Sequence, residues 1–297
     1  SKPRSRIAYL CASKRMDWEP VAWTEFDGKN IVFTDIQKGP VMRVATYERG
    51  RLRFWTDPFE INVSNEFHFF TPSDSVQDVT LFAKYTLRAD DMFLNRMIGG
   101  TFEGSNDPDF REKEVLYLIN EKPKRLQTVV QSYSSKPYRY VRYIGPKDSH
   151  CNIAEAAFYT PNDTASLKGK VIGTSGCFQK DGSHEYTNVF DGDVTTSFDY
   201  VEPSGGWSGL DLGIPKQIGR IIYTPRNYDN YVCHGDDYEL FYCAKRGKWR
   251  SLGWQFAEKD SLVYKDVPHN VLLLLKNYSK GVQERIFTYD VGKQLWK

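Results

Sequence analysis

The sequence lacks both a long hydrophobic run and an excess of charge of either sign. Its longest uninterrupted aliphatic segment covers only residues 271–275, whereas a membrane-spanning helix needs about 20 apolar residues. We therefore expect no membrane span. The 297 residues carry 40 basic and 38 acidic side chains, for a formal charge of +2. Because nucleic-acid-binding domains usually have a strong basic excess, we also expect no nucleic-acid partner.

Four common catalytic and nucleotide-binding motifs are missing as well. No GxSxG, HExxH, Walker A or GxGxxG pattern occurs, and the five histidines are scattered, with no two at the spacing of metal ligands. The sequence thus favours a protein that is not an enzyme. A glycan-active enzyme stays open as an alternative, because the two carboxylates of a glycosidase have no fixed spacing in sequence.

Cysteine is sparse, and the cysteines do not occur in closely spaced pairs. None of the five cysteines forms a CxxC motif, which argues against a zinc knuckle. Two interpretations are open: all five are small buried hydrophobic residues, or Cys233 and Cys243 form a disulfide bridge. Cysteine usage does not decide the cellular compartment.

Aromatic residues are abundant and lie in alternating segments. Tyr, Phe and Trp make up 15% of the chain, and these residues fit the half-buried surface of a β-sheet. Segments such as 138–143 alternate in part between apolar and basic residues, which is typical of a strand with one wet face. Glycine-containing turns separate the segments. The pattern predicts an almost all-β protein built from sandwiches, with short helical turns at 74–78 and 109–115.

A weak internal repeat predicts the domain organisation. The segment around Glu155 aligns with the segment around Glu284, and the join between the two copies lies near the polar stretch 160–164. We therefore expect three parts: a small N-terminal β-sandwich module over 1–75, a partial β unit over 76–160 and a complete β-sandwich over 161–297.

Several short motifs follow one another in a familiar order. They are 99–110 (GGTFEGSNDPDF), 151–155 (CNIAE), 188–198 (NVFDGDVTTSF) and 209–213 (GLDLG). Their order and spacing resemble those of the discoidin domain, also called the coagulation-factor C-type or galactose-binding-like domain. The chain is also similar to the C-terminal, non-catalytic region of gut-bacterial transglutaminase-like surface proteins.

This resemblance implies tandem jelly-roll β-sandwiches of about eight strands, with binding loops at one end. It implies a non-catalytic carbohydrate-binding accessory module of a secreted or cell-surface bacterial protein, with a glycan or glycoprotein and other domains of a larger polypeptide as partners. The alternative is a structural or protein–protein interaction spacer that positions an upstream enzyme domain. We expect an extracellular, cell-surface or periplasmic location, with any signal peptide removed or upstream, since none opens the chain.

One loop has the composition of a calcium site. Asp191, Asp193 and Thr196 place hard oxygen donors around a glycine within six residues, and Ca²⁺ takes six to eight oxygen ligands. The resemblance adds a glutamate from the last strand, and Glu284 stands at that place. The other interpretation is that the two aspartates only cap a β-turn through the local backbone. On the first interpretation, the predicted cofactor is a structural Ca²⁺ ion.

A second loop has the composition of a sugar site, which needs an aromatic face together with planar polar groups. The segment 226–237 supplies this mixture, and we expect the segment 198–200 and a tryptophan at the same end. The candidate ligand-binding residues are Trp207, Arg226, Asn227, Tyr228, Tyr231 and His234. The competing interpretation is a solvated acidic loop whose tyrosines pack at the sandwich edge.

Overall fold

The structure, a computed structural model, describes residues 6–85, 88–279 and 284–297. Nearly all of its regular structure is antiparallel β-strand, so the predicted all-β fold class is confirmed. None of the described helices combines the length and the apolar character needed to cross a membrane. The chain forms two compact units. Unit 1 is discontinuous and comprises Ser1–Thr86 and Val232–Lys297, and unit 2 is Leu87–Tyr231.

The first seven strands belong to unit 1. They are β1 (Arg6–Lys14), β2 (Asp17–Phe26), β3 (Met42–Glu48), β4 (Arg51–Phe54), β5 (Phe59–Ile61), β6 (Phe67–Phe69) and β7 (Val76–Leu81). Strands β1 to β6 form one sheet in the order β2-β1-β3-β5-β6, with β4 paired to β3.

Unit 2 is an eight-stranded sandwich. Its elements are the helix α1 (Arg88–Asn95), β8 (Thr101–Ser105), β9 (Lys113–Leu118), β10 (Thr128–Gln131), β11 (Tyr138–Ile144), β12 (Ile153–Tyr159), β13 (Lys170–Gly173), a 3-10 helix (Tyr186–Phe190), β14 (Trp207–Lys216) and β15 (Arg220–Pro225). One sheet has the order β13-β14-β11-β8-β9 and the other β10-β15-β12. The two sheets pack face to face. This packing is shown by the ring of Phe102 on β8, which lies 6.0 Å from that of Phe158 on β12 and 5.3 Å from that of Tyr223 on β15.

The remaining elements return to unit 1. They are β16 (Asp237–Ala244), a 3-10 helix (Lys245–Gly247), β17 (Lys248–Phe256), β18 (Leu262–Pro268), β19 (Leu273–Asn277), β20 (Phe287–Asp290) and β21 (Lys293–Trp296). Five of these strands form a sheet in the order β17-β16-β19-β20-β21, and β18 pairs with β7. The aliphatic run that begins at Val271 is the buried centre of this unit.

The structure divides the chain differently from the predicted boundaries. β11 pairs with β14 and β12 pairs with β15, so strands from both sides of the predicted join at 160–164 share the two sheets of one sandwich. The predicted units 76–160 and 161–297 therefore do not correspond to the compact units. An antiparallel sandwich joins strands that are distant in sequence, and a weak repeat of short motifs does not specify those partners.

The N-terminal region is a single sheet within unit 1 rather than a sandwich of its own. Val41 and Phe70 share a buried cluster with Cys243, Leu272 and Leu274 from the C-terminal part of the chain. The guanidinium group of Arg43, which is almost fully buried, donates to the carbonyl of Arg246 at 2.8 Å. The predicted module 1–75 thus buries its apolar face against the last third of the sequence.

The two predicted helical turns are strands or loops in the structure. Residues 76–81 form β7, in which Val79 and Leu81 are buried while Gln77 and Thr80 are less so. Residues 113–118 form β9. In β7 the spacing of two between buried residues decides for a strand.

Candidate functional site

The predicted metal loop is a tight turn closed by its own side chains. The carboxylate of Asp191 accepts hydrogen bonds from the backbone N–H of Asp193 and the hydroxyl of Thr196, both at 2.8 Å. Asp193 accepts from the backbone N–H and the hydroxyl of Thr195, at 2.9 and 2.6 Å. Gly192 between them has φ +85°, a conformation that glycine adopts at little cost. The sequence therefore builds a rigid loop that carries two carboxylates.

A third carboxylate, Glu155 on β12, lies against this loop. Its Oε1 accepts a hydrogen bond from the backbone N–H of Gly192 at 3.0 Å. Burial, together with the hydrogen bond and negative charge of Asp191 and the charge of Asp193, raises the pKa of Glu155 to about 9, although the hydrogen bond from Gly192 lowers it. Glu155 thus lies within hydrogen-bonding reach of Asp191, with the charge of Asp193 nearby, and a proton on Glu155 offsets the repulsion between these acids.

Glu284, the predicted fourth ligand, belongs to unit 1. Burial raises the pKa of its carboxyl, whereas the charges of Arg15, Lys276 and Lys84 lower it. The net shift is upward, so burial outweighs these positive charges. Within unit 2, the glutamate beside the acidic loop is Glu155, the residue with which Glu284 aligns in the internal repeat.

The donor set at the acidic loop fits a hard divalent cation. Asp191, Asp193 and Glu155 offer carboxylate oxygens, and the loop adds hydroxyl and backbone carbonyl oxygens, without nitrogen or sulfur ligands. Oxygen-only sets favour Ca²⁺ or Mg²⁺ over softer transition metals. A cation here would replace the proton on Glu155 as the charge that offsets the repulsion.

The predicted ligand loop is tied to this acidic loop. The side-chain amide of Asn227 donates to the carbonyl of Val194 at 2.8 Å and to that of Pro225 at 3.1 Å. Its own oxygen accepts from the backbone N–H of Asp229 at 2.9 Å. Asn227 is 6% exposed, so its role is to fasten one loop to the other rather than to contact a ligand.

A buried ion pair supports the start of the same loop. Arg226 follows β15 and its guanidinium lies 2.5 Å from the carboxylate of Asp199, with both side chains largely buried. Asp199 also accepts from the amide of Asn152 at 2.6 Å, and Asn152 in turn accepts from Arg96 at 2.9 Å. This chain of polar contacts holds Arg226 in place.

Tyr228 is the exposed aromatic residue of this loop. Its ring lies 5.5 Å from that of Phe93 on α1, and the guanidinium of Arg226 lies 4.5 Å from the Phe93 ring centre. Phe93 is buried, whereas Tyr228 is 39% exposed. Phe93 thus packs against the ring of Tyr228 and leaves part of that ring accessible to solvent.

The other predicted ligand residues do not join Tyr228. Trp207 starts β14, where its ring lies 5.7 Å from that of Phe110 and 5.2 Å from the guanidinium of Arg142. Tyr231 is buried. His234 is exposed but belongs to unit 1. Of the six residues, Arg226, Asn227 and Tyr228 form one group.

Sequence reasoning missed two contributors to this region: Glu155 as a partner of the acidic loop, and Phe93. Glu155 had a signal, its alignment with Glu284. Phe93 had none, since it lies far from Arg226 along the chain and meets it only through the packing of α1. Asp199 belongs to the segment 198–200, which was expected at the same end as the ligand loop, but its ion pair with Arg226 was not predicted.

The five cysteines are free thiols and all are buried, so the structure contains no bridge between Cys233 and Cys243. Burial raises the pKa of Cys151 and of Cys243, which disfavours the reactive thiolate form of both.

No protein-family model, curated protein or solved structure matches this chain.

Proposed function

We propose that this chain is a non-catalytic carbohydrate-binding module in which a calcium-ordered loop presents Tyr228 to a glycan. The observation that carries the proposal is the combination of an exposed ring supported by Phe93 with a hydrogen bond from the neighbouring Asn227 to the acidic loop. The resemblance to discoidin domains, which place binding loops at one end of a β-sandwich, points in the same direction.

Tyr228 supplies the apolar contact. The C–H groups of a pyranose face stack on an aromatic ring, and such a ring contributes most when it is held in place before the ligand arrives. The Arg226–Asp199 pair and the Phe93 ring hold the base of the loop. Recognition then depends on a preformed surface rather than on a deep pocket.

Calcium has a structural role in this proposal. Asp191, Asp193, Thr196 and Glu155 are the residues that would hold it, and Asn227 would transmit the order of the acidic loop to the ligand loop. A bound ion supplies charge compensation and no chemistry.

The biological setting follows from the same proposal. A module of this kind acts on the surface of a cell or in a secreted protein, with a glycan or glycoprotein as its ligand and with other domains of a larger polypeptide beside it.

A spacer is the second candidate function. Trp207 stacks with Arg142, and Arg226 is paired with Asp199, so two residues of the predicted sugar site already serve the fold. A protein that only positions another domain needs no exposed aromatic residue beside an arginine.

Replacing Tyr228 with alanine tests the choice between these functions. On an array of galactose-type and mucin-type glycans, we expect the wild-type chain to bind and Tyr228→Ala to bind about tenfold more weakly, because a stacked ring contributes on the order of 1 kcal/mol or more. The matched control is Tyr133→Ala, since Tyr133 is another exposed tyrosine of unit 2. Equal loss in both variants, or no binding by the folded wild-type chain, would favour the spacer.

A further inference from the structure

A pocket in unit 1 is unrelated to the loops around Tyr228. Its volume is about 380 Å³, near the lower end of the range of small-molecule sites. It lies where the N-terminal sheet meets the C-terminal strands of the same unit, and residues from β5, β7, β20 and the segment before β19 line it.

The walls of the pocket are fixed by contacts that do not need a ligand. The ammonium group of Lys297 donates to both carboxylate oxygens of Glu60, at 2.9 and 3.0 Å. The amide of Asn270 donates to the carbonyls of Phe69 and Thr71, each at 3.0 Å. The pocket is therefore preformed, which reduces the entropic cost of binding.

Other polar side chains of the pocket make no hydrogen bonds within the described part of the protein. Within the described part of the chain, the side chains of His269, Thr288 and Asp290 have no hydrogen-bond or ion-pair partner in the protein. They offer an imidazole, a hydroxyl and a carboxylate, which together donate and accept hydrogen bonds. The exposed side chain of Leu295 provides apolar surface beside them, whereas Phe70 is almost fully buried behind it.

The charges of the pocket select among ligand classes. Lys297 is already neutralised by Glu60, so an anion would meet the uncompensated carboxylate of Asp290. Among the described residues, the acids and histidines of this pocket form no metal-ligating group of three. A wholly apolar ligand would bury the free polar groups without partners, which is costly.

We infer that this pocket binds a neutral sugar of one or two rings. Sugar hydroxyls satisfy Asp290, Thr288 and His269, and the C–H face of the ring packs on the exposed side chain of Leu295. Glu60 is held by Lys297 through both oxygens, so it is not poised as one of two catalytic carboxylates, and the site binds without cleaving.

Saturation-transfer NMR with the full chain tests this inference. The probes are galactose, glucose, mannose and N-acetylglucosamine, with galacturonate and glucosamine as charged counterparts. For ligands of this size we expect a dissociation constant of about 1 mM for at least one neutral sugar, and weaker binding of galacturonate. Asp290→Ala and Thr288→Val should each lower the affinity for the neutral sugar about tenfold.

The matched control is Asp74→Ala, which removes an exposed carboxylate of the same unit outside the pocket. Tyr228→Ala separates this site from the one in unit 2. If sugar binding survives in Asp290→Ala and Thr288→Val but is lost in Tyr228→Ala, the pocket inference is overturned while the proposed function stands. The inference is also overturned if no neutral sugar binds at a concentration of about ten times that dissociation constant, or if galacturonate binds more tightly than the neutral sugars.

Discussion

Replacing Asp199 with alanine should lower the free energy of unfolding by about 3–5 kcal/mol, because it leaves the buried guanidinium of Arg226 without its charge partner. The same change removes the acceptor of the Asn152 amide. Urea denaturation followed by circular dichroism measures this loss. The effect should be among the largest of any single substitution in unit 2, since the pair supports the whole base of the Tyr228 loop.

Two further variants make this expectation specific. Asp109→Ala removes the carboxylate of an ion pair with Arg111 in which both side chains are mostly exposed, and it should cost less than about 1 kcal/mol. The double variant Asp199→Leu/Arg226→Met removes the unpaired guanidinium and should recover part of the stability, while the amide of Asn152 still lacks its acceptor. A cost below about 1 kcal/mol for Asp199→Ala would show that the pair is not a buried support.

The stability of the metal-free protein should decrease as the pH rises from about 4.5 to about 9. The folded-state pKa of Glu155 is about 9, above its ordinary value of 4.5, so over this interval the folded state keeps a proton that the unfolded state has lost. After allowance for solvent screening of a partly exposed group, the decrease should be on the order of 2 kcal/mol. Thermal unfolding in a chelator at several pH values measures it.

Calcium and a glutamine substitution should each remove this pH dependence. Ca²⁺ takes the place of the proton and raises the melting temperature most at the high end of the interval. Glu155→Gln carries no titrating group and should flatten the profile, whereas Glu202→Gln, at an exposed glutamate, should leave it unchanged. A wild-type melting temperature that responds neither to chelation nor to added calcium would refute the metal site.

The sequence was sufficient to predict the fold class but not the division of the chain. Alternating strands such as 138–143 and the glycine turns between them are local features, and local features fix strand formation. The pairing of β12 with β15 is not local, because it depends on which buried faces match across some 65 residues. The repeat around Glu155 and Glu284 therefore misplaced the boundary, although it aligned two glutamates of similar burial.

The candidate site was predicted in part for the same reason. Asp191, Asp193 and Thr196 lie within one turn, and the structure joins the hydroxyl of Thr196 to the carboxylate of Asp191, whereas the carboxylate of Asp193 accepts from Thr195. Arg226 and Tyr228 also share a loop, but their partners Asp199 and Phe93 come from other parts of unit 2. Trp207 was expected at the same end as this loop; it starts β14 of the five-stranded sheet, where it packs against Phe110 rather than beside Tyr228.

The most direct test of the account compares the glycan affinity of the full chain in about 1 mM calcium with its affinity after chelation. This calcium concentration suits extracellular calcium sites. The account predicts that the best-bound glycan loses affinity about tenfold on chelation and that calcium restores it, because the acidic loop holds the loop of Tyr228 through Asn227. Equal affinity in both conditions, or no glycan bound in either, would contradict it.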